Sequence, residues 1–274
     1  MTRFTPVEDA STFRRMAAAM WQRPRDPSIY GSMDLDATAA LAFLSALPEQ
    51  PRVTITHLVA RAVALALRAH SELNGKVRFW GRLEQRATVD VFVTVATDGA
   101  RDLSGARIER ADEKSLAELA REIAERAGKI RGGNDPSYRK GKAMLGRMPW
   151  WLARPAMWLS DVLVNELHVD LAARGMPRDP FGSAIVTSVG MFGIDSAFAP
   201  FVPLARCPML ILVPEIRPRP WAVGDRVEVR PVLRLCATFD HRLIDGAAAG
   251  RFAADLCRLF ADPARLGGVS APRR

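Results

Sequence analysis

The sequence predicts one mixed α/β sandwich, on three observations. Helix-like and strand-like segments are mixed along the chain without the regular strand–helix interleaving of a doubly wound sheet. One helix-like stretch, 57–70 (HLVARAVALALRAH), is apolar enough to lie deep in a core. A long strand-like run, 227–241 (VEVRPVLRLCATFDH), leads almost directly into a helix-like one, 246–262.

The 274 residues can bury a large core without disulfides or metals. With 49% hydrophobic and 25% charged residues, the composition is that of a globular protein. It excludes the disordered, collagen-like and disulfide-stapled classes. The net charge of +9 comes from 39 Lys+Arg against 30 Asp+Glu, and the pI is about 10.3. That balance attracts anions without choosing among nucleic acid, a membrane surface or a phosphorylated small molecule. The cysteines, Cys207, Cys236 and Cys257, form no C-x-x-C spacing, so no metal or redox motif is expected and they read as buried small hydrophobes. Residues 1–15 lack an apolar signal core, and 148–164 is broken by Arg154, Pro155 and Asp161. The expectation is a cytoplasmic protein with no membrane partner.

The elements read in order as follows. Residues 8–22 have a helical pattern. SIYGSMDLD, 28–36, alternates as a strand, and 37–47 follows as a helix capped by Asp36. Thr56 is the expected cap of the core helix. In 89–97, Val89, Val91, Val93 and Val95 share one face of a strand. Residues 115–130 form an amphipathic helix with Leu116, Leu119 and Ile123 on one side. Residues 131–147 read as a polar loop, and seven Lys or Arg lie between 126 and 147. A helix with Trp150, Trp151 and Trp158 occupies 148–173, and Pro155 should kink or interrupt it. Strands are expected at 183–190, 208–216 and 227–241.

The chemistry concentrates in TFDHRLIDGAAAG, 238–250. His241 ends the long strand. Asp245 is placed to cap the next helix, which Gly246 opens. A histidine at a strand-to-helix corner can face a cleft and accept a thiol or hydroxyl proton near neutral pH. His57, His70 and His168 have no ligand spacing and read as structural or surface residues.

Asp240, His241, Arg242, Asp245 and Gly246 match D-H-R-x-x-D-G, the long form of the H-x-x-x-D-G motif of the chloramphenicol acetyltransferase superfamily. This resembles the catalytic domain of dihydrolipoyl acyltransferases, the core components of 2-oxo acid dehydrogenase complexes. TSVGMFGIDSAFAPFVPLARCPMLILV, 187–213, resembles the family's Ser-Asn-Leu-Gly-Met-Phe-Gly segment and following strand. HLVARAVALALRAHSELNG, VFVTVATDGA and KSLAELAREI resemble further family segments in collinear order.

The resemblance implies a chloramphenicol acetyltransferase-like two-layer sandwich with a mixed β-sheet that forms trimers. It implies acyl transfer between coenzyme A and a dihydrolipoamide-type thiol, with His241 as general base. Thr187 would stabilise the oxyanion, with Ser188 as fallback, and Ser188 and Gly190 would lie where coenzyme A binds. Asp245 would pair with Arg14 or Arg15, although the family's spacing falls on Phe13. The active site would lie between subunits, so His241 would meet Thr187 of a neighbour. Nucleic acid is not an expected partner.

Three departures accompany the resemblance. The single catalytic domain, 1–274, is expected to carry no lipoyl or peripheral subunit-binding domain, so a lipoylated carrier protein would supply the lipoyl group. The family's Gly-Leu-x-x-Pro stretch is replaced by GARDLSGARI, 99–108. Residues 131–180 form an enlarged basic and Trp-rich insertion. It reads first as a solvated loop plus a helix packed on the core, with a lid, an oligomer contact or a membrane-surface segment as alternatives. Two other functions stay open: acyl transfer to a small-molecule hydroxyl or amine, and a non-catalytic assembly or scaffold homologue.

Overall fold

The computed structural model describes residues 26–97, 102–132, 149–167, 169, 179–201 and 205–268. The expected first helix with Arg14 and Arg15, most of the basic loop, and His168 lie outside these residues.

Alternation makes β1 (Ser28–Asp36) a strand with Ile29, Met33 and Leu35 turned inward and Tyr30 and Asp34 outward. It pairs antiparallel with β9 (Arg226–Asp240), Ser28 opposite Asp240 and Asp36 opposite Val232. Asp34 and Arg234 are directly opposed and joined by two bonds of 2.7 and 2.8 Å. A slip of one residue would break both and turn Leu35 out of the core.

The main sheet runs β1–β9–β7–β6–β4–β5, and β8 pairs with β9 beyond the end of β1. Its other strands are β4 (Val91–Thr97), β5 (Asp102–Ile108), β6 (Ala184–Ser188), β7 (Met209–Val213) and β8 (Arg217–Val223). The β4–β6 and β6–β7 pairs are parallel and the rest antiparallel, so the sheet is mixed. A separate hairpin joins β2 (Gly75–Val77) and β3 (Leu83–Gln85).

One face of the sheet is covered by helices α1 (Thr38–Ser45), α2 (Ile55–Ala69), α3 (Leu116–Arg131) and α5 (Gly246–Ala261), with the short α6 (Ala264–Gly267) behind. Val91, Val93, Val186, Ile211, Leu233 and Leu235 meet Leu58, Val63, Leu119, Phe252 and Phe260 there. The core helix α2 includes the fully buried Arg61, whose guanidinium donates to the Ala111 and Gly268 carbonyls, each at 2.9 Å. On the opposite face, Ile185, Leu210, Leu212 and Cys236 form a smaller cluster with Ala197, Ala199, Phe201, Ala205 and Cys207.

Several boundaries differ from expectation. Thr54, not Thr56, caps α2, because His57 supplies the return bond of a capping box by accepting from the Thr54 N–H at 3.1 Å. Ala37 is the N-cap of α1, but Asp36 still holds its first turn through the Thr38 N–H at 2.9 Å. The Trp-rich helix α4 (Trp150–Asp161) continues through Pro155, and a π-helical turn follows at Val162–Glu166. It does not pack away its apolar side: Trp151 is 62% exposed and Trp158 59%. Cys207 and Cys236 are buried as expected, whereas Cys257 is exposed. Strands β2, β3, β5 and β8 were not expected.

Candidate active site

The corner after β9 is built by Asp240. Its carboxylate accepts from the Arg242 backbone N–H at 3.0 Å and from the Arg242 guanidinium at 2.9 and 2.6 Å. Its carbonyl accepts from the N–H groups of Leu243 and Ile244, each at 2.9 Å. The His241 N–H donates to the Pro27 carbonyl at 2.9 Å, tying the corner to the start of β1. Ile244 is fully buried. Leu243 packs over Gly75, where a Cβ would come within 3.1 Å of it.

His241 is exposed, and its Nδ1 lies 3.0 Å from the Ile244 carbonyl oxygen. A carbonyl only accepts, so Nδ1 carries the proton and Nε2 is left as a proton acceptor. Asp245 is the N-cap of α5: its Oδ1 accepts from the Ala248 N–H at 2.8 Å. The residues from Asp240 to Ala248 thus orient the imidazole through backbone bonds within one turn.

Thr187 lies on β6, half-buried on the face opposite the helices. The Thr94 hydroxyl on β4 donates to Thr187 Oγ1 at 2.6 Å. This leaves Thr187's own proton free to donate elsewhere, and the bond it accepts polarises it. Neither Thr94 nor the Ile244 carbonyl is recognisable in the sequence as part of the site. The pairing of β4 with β6 is non-local, and a carbonyl has no residue signature.

Ser188 turns to the opposite face from Thr187 by strand alternation. Gly190 begins a 3₁₀ turn, Gly190–Phe192, beside the exit of β7. A Cβ at Gly190 would stand 2.8 Å from the Pro214 carbonyl oxygen, so close backbone packing requires glycine there.

One protomer does not bring His241 and Thr187 together. Thr187 is level with Leu212 on β7, and Leu212 with Cys236 on β9. His241 lies five residues further along and two strands across, roughly 20 Å away at strand spacings of about 3.4 Å per residue and 4.8 Å per strand.

His57 is half-buried in the α2 capping box, and desolvation pushes its imidazole down to about 4. His70 binds Asp255 at 2.7 Å, linking the end of α2 to α5. Among the described residues, no three His, Cys, Asp or Glu side chains gather as a metal site would require.

The mixed sheet, with an oriented histidine at its strand-to-helix corner, can be set beside known proteins. The chain belongs to the family of 2-oxoacid dehydrogenases acyltransferase (catalytic domain), whose model matches residues 5–136 and 179–267. Residues 137–178 fall outside that match. The chain is 25% identical over 262 residues to the dihydrolipoyllysine-residue acetyltransferase component of the Zymomonas mobilis pyruvate dehydrogenase complex, covering 92% of this chain and 49% of the relative. It is 28% identical over 218 residues to the corresponding component of the Bacillus subtilis acetoin cleaving system, covering 78% of this chain and 43% of the relative. The chain therefore spans about half the length of these relatives. Among solved structures, the cubic core of the pyruvate dehydrogenase multienzyme complex shares the fold, with a TM-score of 0.67 at 22% identity, covering 97% of this chain and 99% of the other. Dihydrolipoamide acetyltransferase of Azotobacter vinelandii gives 0.66 at 21% identity, covering 97% and 99%.

Proposed function

We propose that this chain is an acyltransferase that moves an acyl group between coenzyme A and a dihydrolipoamide-type thiol. The observation that carries the proposal is the fixed tautomer of His241, which leaves Nε2 as an exposed base on the family's D-H-R-x-x-D-G corner. Nε2 takes the proton of the incoming thiol. The new C–S bond forms as the thiolate attacks the thioester carbonyl. The tetrahedral oxyanion accepts a hydrogen bond from Thr187. As it collapses, the original C–S bond breaks and the imidazolium returns its proton to the departing thiolate.

Thr187 would come from a neighbouring subunit of a homotrimer or of a larger assembly of trimers. This is supported by the separation of the two residues within one protomer. Asp245 acts by capping α5 and fixing the corner, with Arg14 or Arg15 as its expected partner. Ser188 and Gly190 would lie along the coenzyme A path, where Gly190 keeps the chain close to Pro214. The Azotobacter vinelandii enzyme has been investigated for the roles of a serine, a histidine and an asparagine in its catalytic mechanism. The histidine and asparagine there are four residues apart, as His241 and Asp245 are here. The lipoyl group would arrive on a lipoylated carrier protein, and the reaction would run in the cytoplasm.

The test is release of free coenzyme A from acetyl-, propionyl- and longer acyl-coenzyme A. Dihydrolipoamide is offered as acceptor beside a panel of amines and alcohols. Turnover with dihydrolipoamide is expected. Turnover confined to an amine or alcohol would replace the thiol acceptor with a small molecule.

A further inference from the structure

We propose that the outer face of α4 binds an anionic membrane surface, with the helix lying flat in the interface. Trp151, Leu152, Pro155, Trp158 and Leu159 fall within about 120° of one another on a helix turning about 100° per residue. Trp151, Leu152, Trp158 and Leu159 are 62%, 40%, 59% and 51% exposed. Leu167 and Val169, just beyond the π-helical turn, are also exposed. Tryptophan and leucine on a short helix that follows a basic stretch in the sequence suit the boundary between acyl chains and headgroups.

The end of the helix and the π-helical turn after it are tied to the body, while Met157, outside that arc, is also 40% exposed. Asp161 accepts from Arg206 at 2.7 Å and from Asn165 at 2.7 Å. Glu166 accepts from the Phe79 N–H at 2.9 Å, from Arg78 at 3.0 Å and from Arg206. Arg206 also lies 4.8 Å from the centre of the Phe79 ring. Burial would raise the Glu166 carboxyl, but these donors outweigh it and hold it at about 2. Both acids are thus turned inward and neutralised. The outer side presents apolar rings without a carboxylate among the residues described.

Charge decides the occupant. Between 126 and 147 the sequence carries seven Lys or Arg against one acid, Asp135, and the chain as a whole is at +9. A second copy would bring the same positive charge, whereas an anionic bilayer attracts it. The helix lies in 137–178, the stretch the family model does not match. No described helix is long and apolar enough to cross a membrane, which agrees with a helix lying in the plane. The proposal does not rest on the acyl-transfer reading.

The experiment is co-sedimentation of the full chain with sucrose-loaded vesicles of phosphatidylcholine alone or mixed with phosphatidylglycerol. A Trp151→Ser/Trp158→Ser variant runs beside the wild type, and light scattering reports the size of both. The wild type should bind the anionic vesicles, release them as salt rises, and ignore the neutral ones. The variant should keep its circular dichroism and its size, and bind at least about tenfold more weakly. The proposal is overturned if the wild type ignores anionic vesicles or the variant binds them equally well. It is also overturned if the variant changes oligomer size while the wild type binds no vesicle, which would make the face a contact between copies.

Discussion

Thr187 and His241 stand at opposite ends of the same sheet, Thr187 level with Cys236 and His241 five residues further along β9. With roughly 20 Å between them, no side-chain rotation within a protomer joins a general base to an oxyanion donor. On the proposed mechanism, a working site would take one residue from each of two subunits. Co-expressed His241→Ala and Thr187→Val chains should therefore recover activity that neither has alone. Random assembly around a closed ring predicts about a quarter of the wild-type rate, since half the sites receive an intact histidine and half of those an intact threonine. Rates of the purified mixed oligomer would measure this. No recovery would mean that both groups act within one chain.

Thr187→Val should lower kcat by about 10²- to 10³-fold, the usual effect of deleting an oxyanion donor. Thr94→Val removes only the bond that polarises and orients Thr187. It should cost less, about tenfold, and should leave KM nearly unchanged. Equal losses in the two variants would make Thr94 a direct participant.

Asp245→Ala should cost about 1 kcal/mol of stability through loss of the α5 cap. It should also lower kcat, because Ile244, which orients His241, sits immediately before that cap. Asp245→Asn keeps an accepting oxygen and should restore most of the stability. Urea unfolding read beside kcat separates the two effects.

His57 gives a pH signature unrelated to catalysis. Its imidazole is depressed by burial from 6.5 to about 4, so the folded chain resists a proton that the unfolded chain takes up. The contribution is fully present above pH 6.5 and is lost as the pH falls through 4. The difference amounts to about 3 kcal/mol between those limits. His57→Gln keeps a side chain able to accept from the Thr54 N–H and does not titrate. Its urea midpoint should fall less than that of the wild type between pH 7 and pH 4.5.

Gly190→Ala should destabilise by about 1–3 kcal/mol, because the new Cβ would stand 2.8 Å from the Pro214 carbonyl. Stability measured without ligand tests this packing role apart from any role along the coenzyme A path.

What could be read from the sequence follows from locality. Residues 28–36 alternate cleanly, and β1 spans those same residues. The apolar helix before His70 and the corner at His241 carry their signals within one segment. The missed strands lie at edges. β8 contains Pro218 and Pro220, which argue against a strand yet suit an edge whose outer N–H groups need no partner. β5 contains Gly105, which reads as a break. The reason for it is non-local, since a Cβ there would stand 2.2 Å from the Phe92 ring on β4. The cap of α2 was misplaced because histidine fills the position where glutamate or glutamine is the usual signal. At the corner after His241, the capping role of Asp245 was legible from its spacing. The Thr94–Thr187 bond depends on register between strands separated by 93 residues.

The most direct measurement is the initial rate of acyl transfer from acetyl-coenzyme A to dihydrolipoamide by the wild type and by His241→Ala, with both shown to be folded and of equal size. General-base catalysis by Nε2 predicts turnover in the wild type and a loss of about 10²- to 10⁴-fold in the variant. Equal rates in the two proteins would contradict the assignment of His241 as the base, and absence of transfer in both would contradict the thiol-acyltransferase function itself.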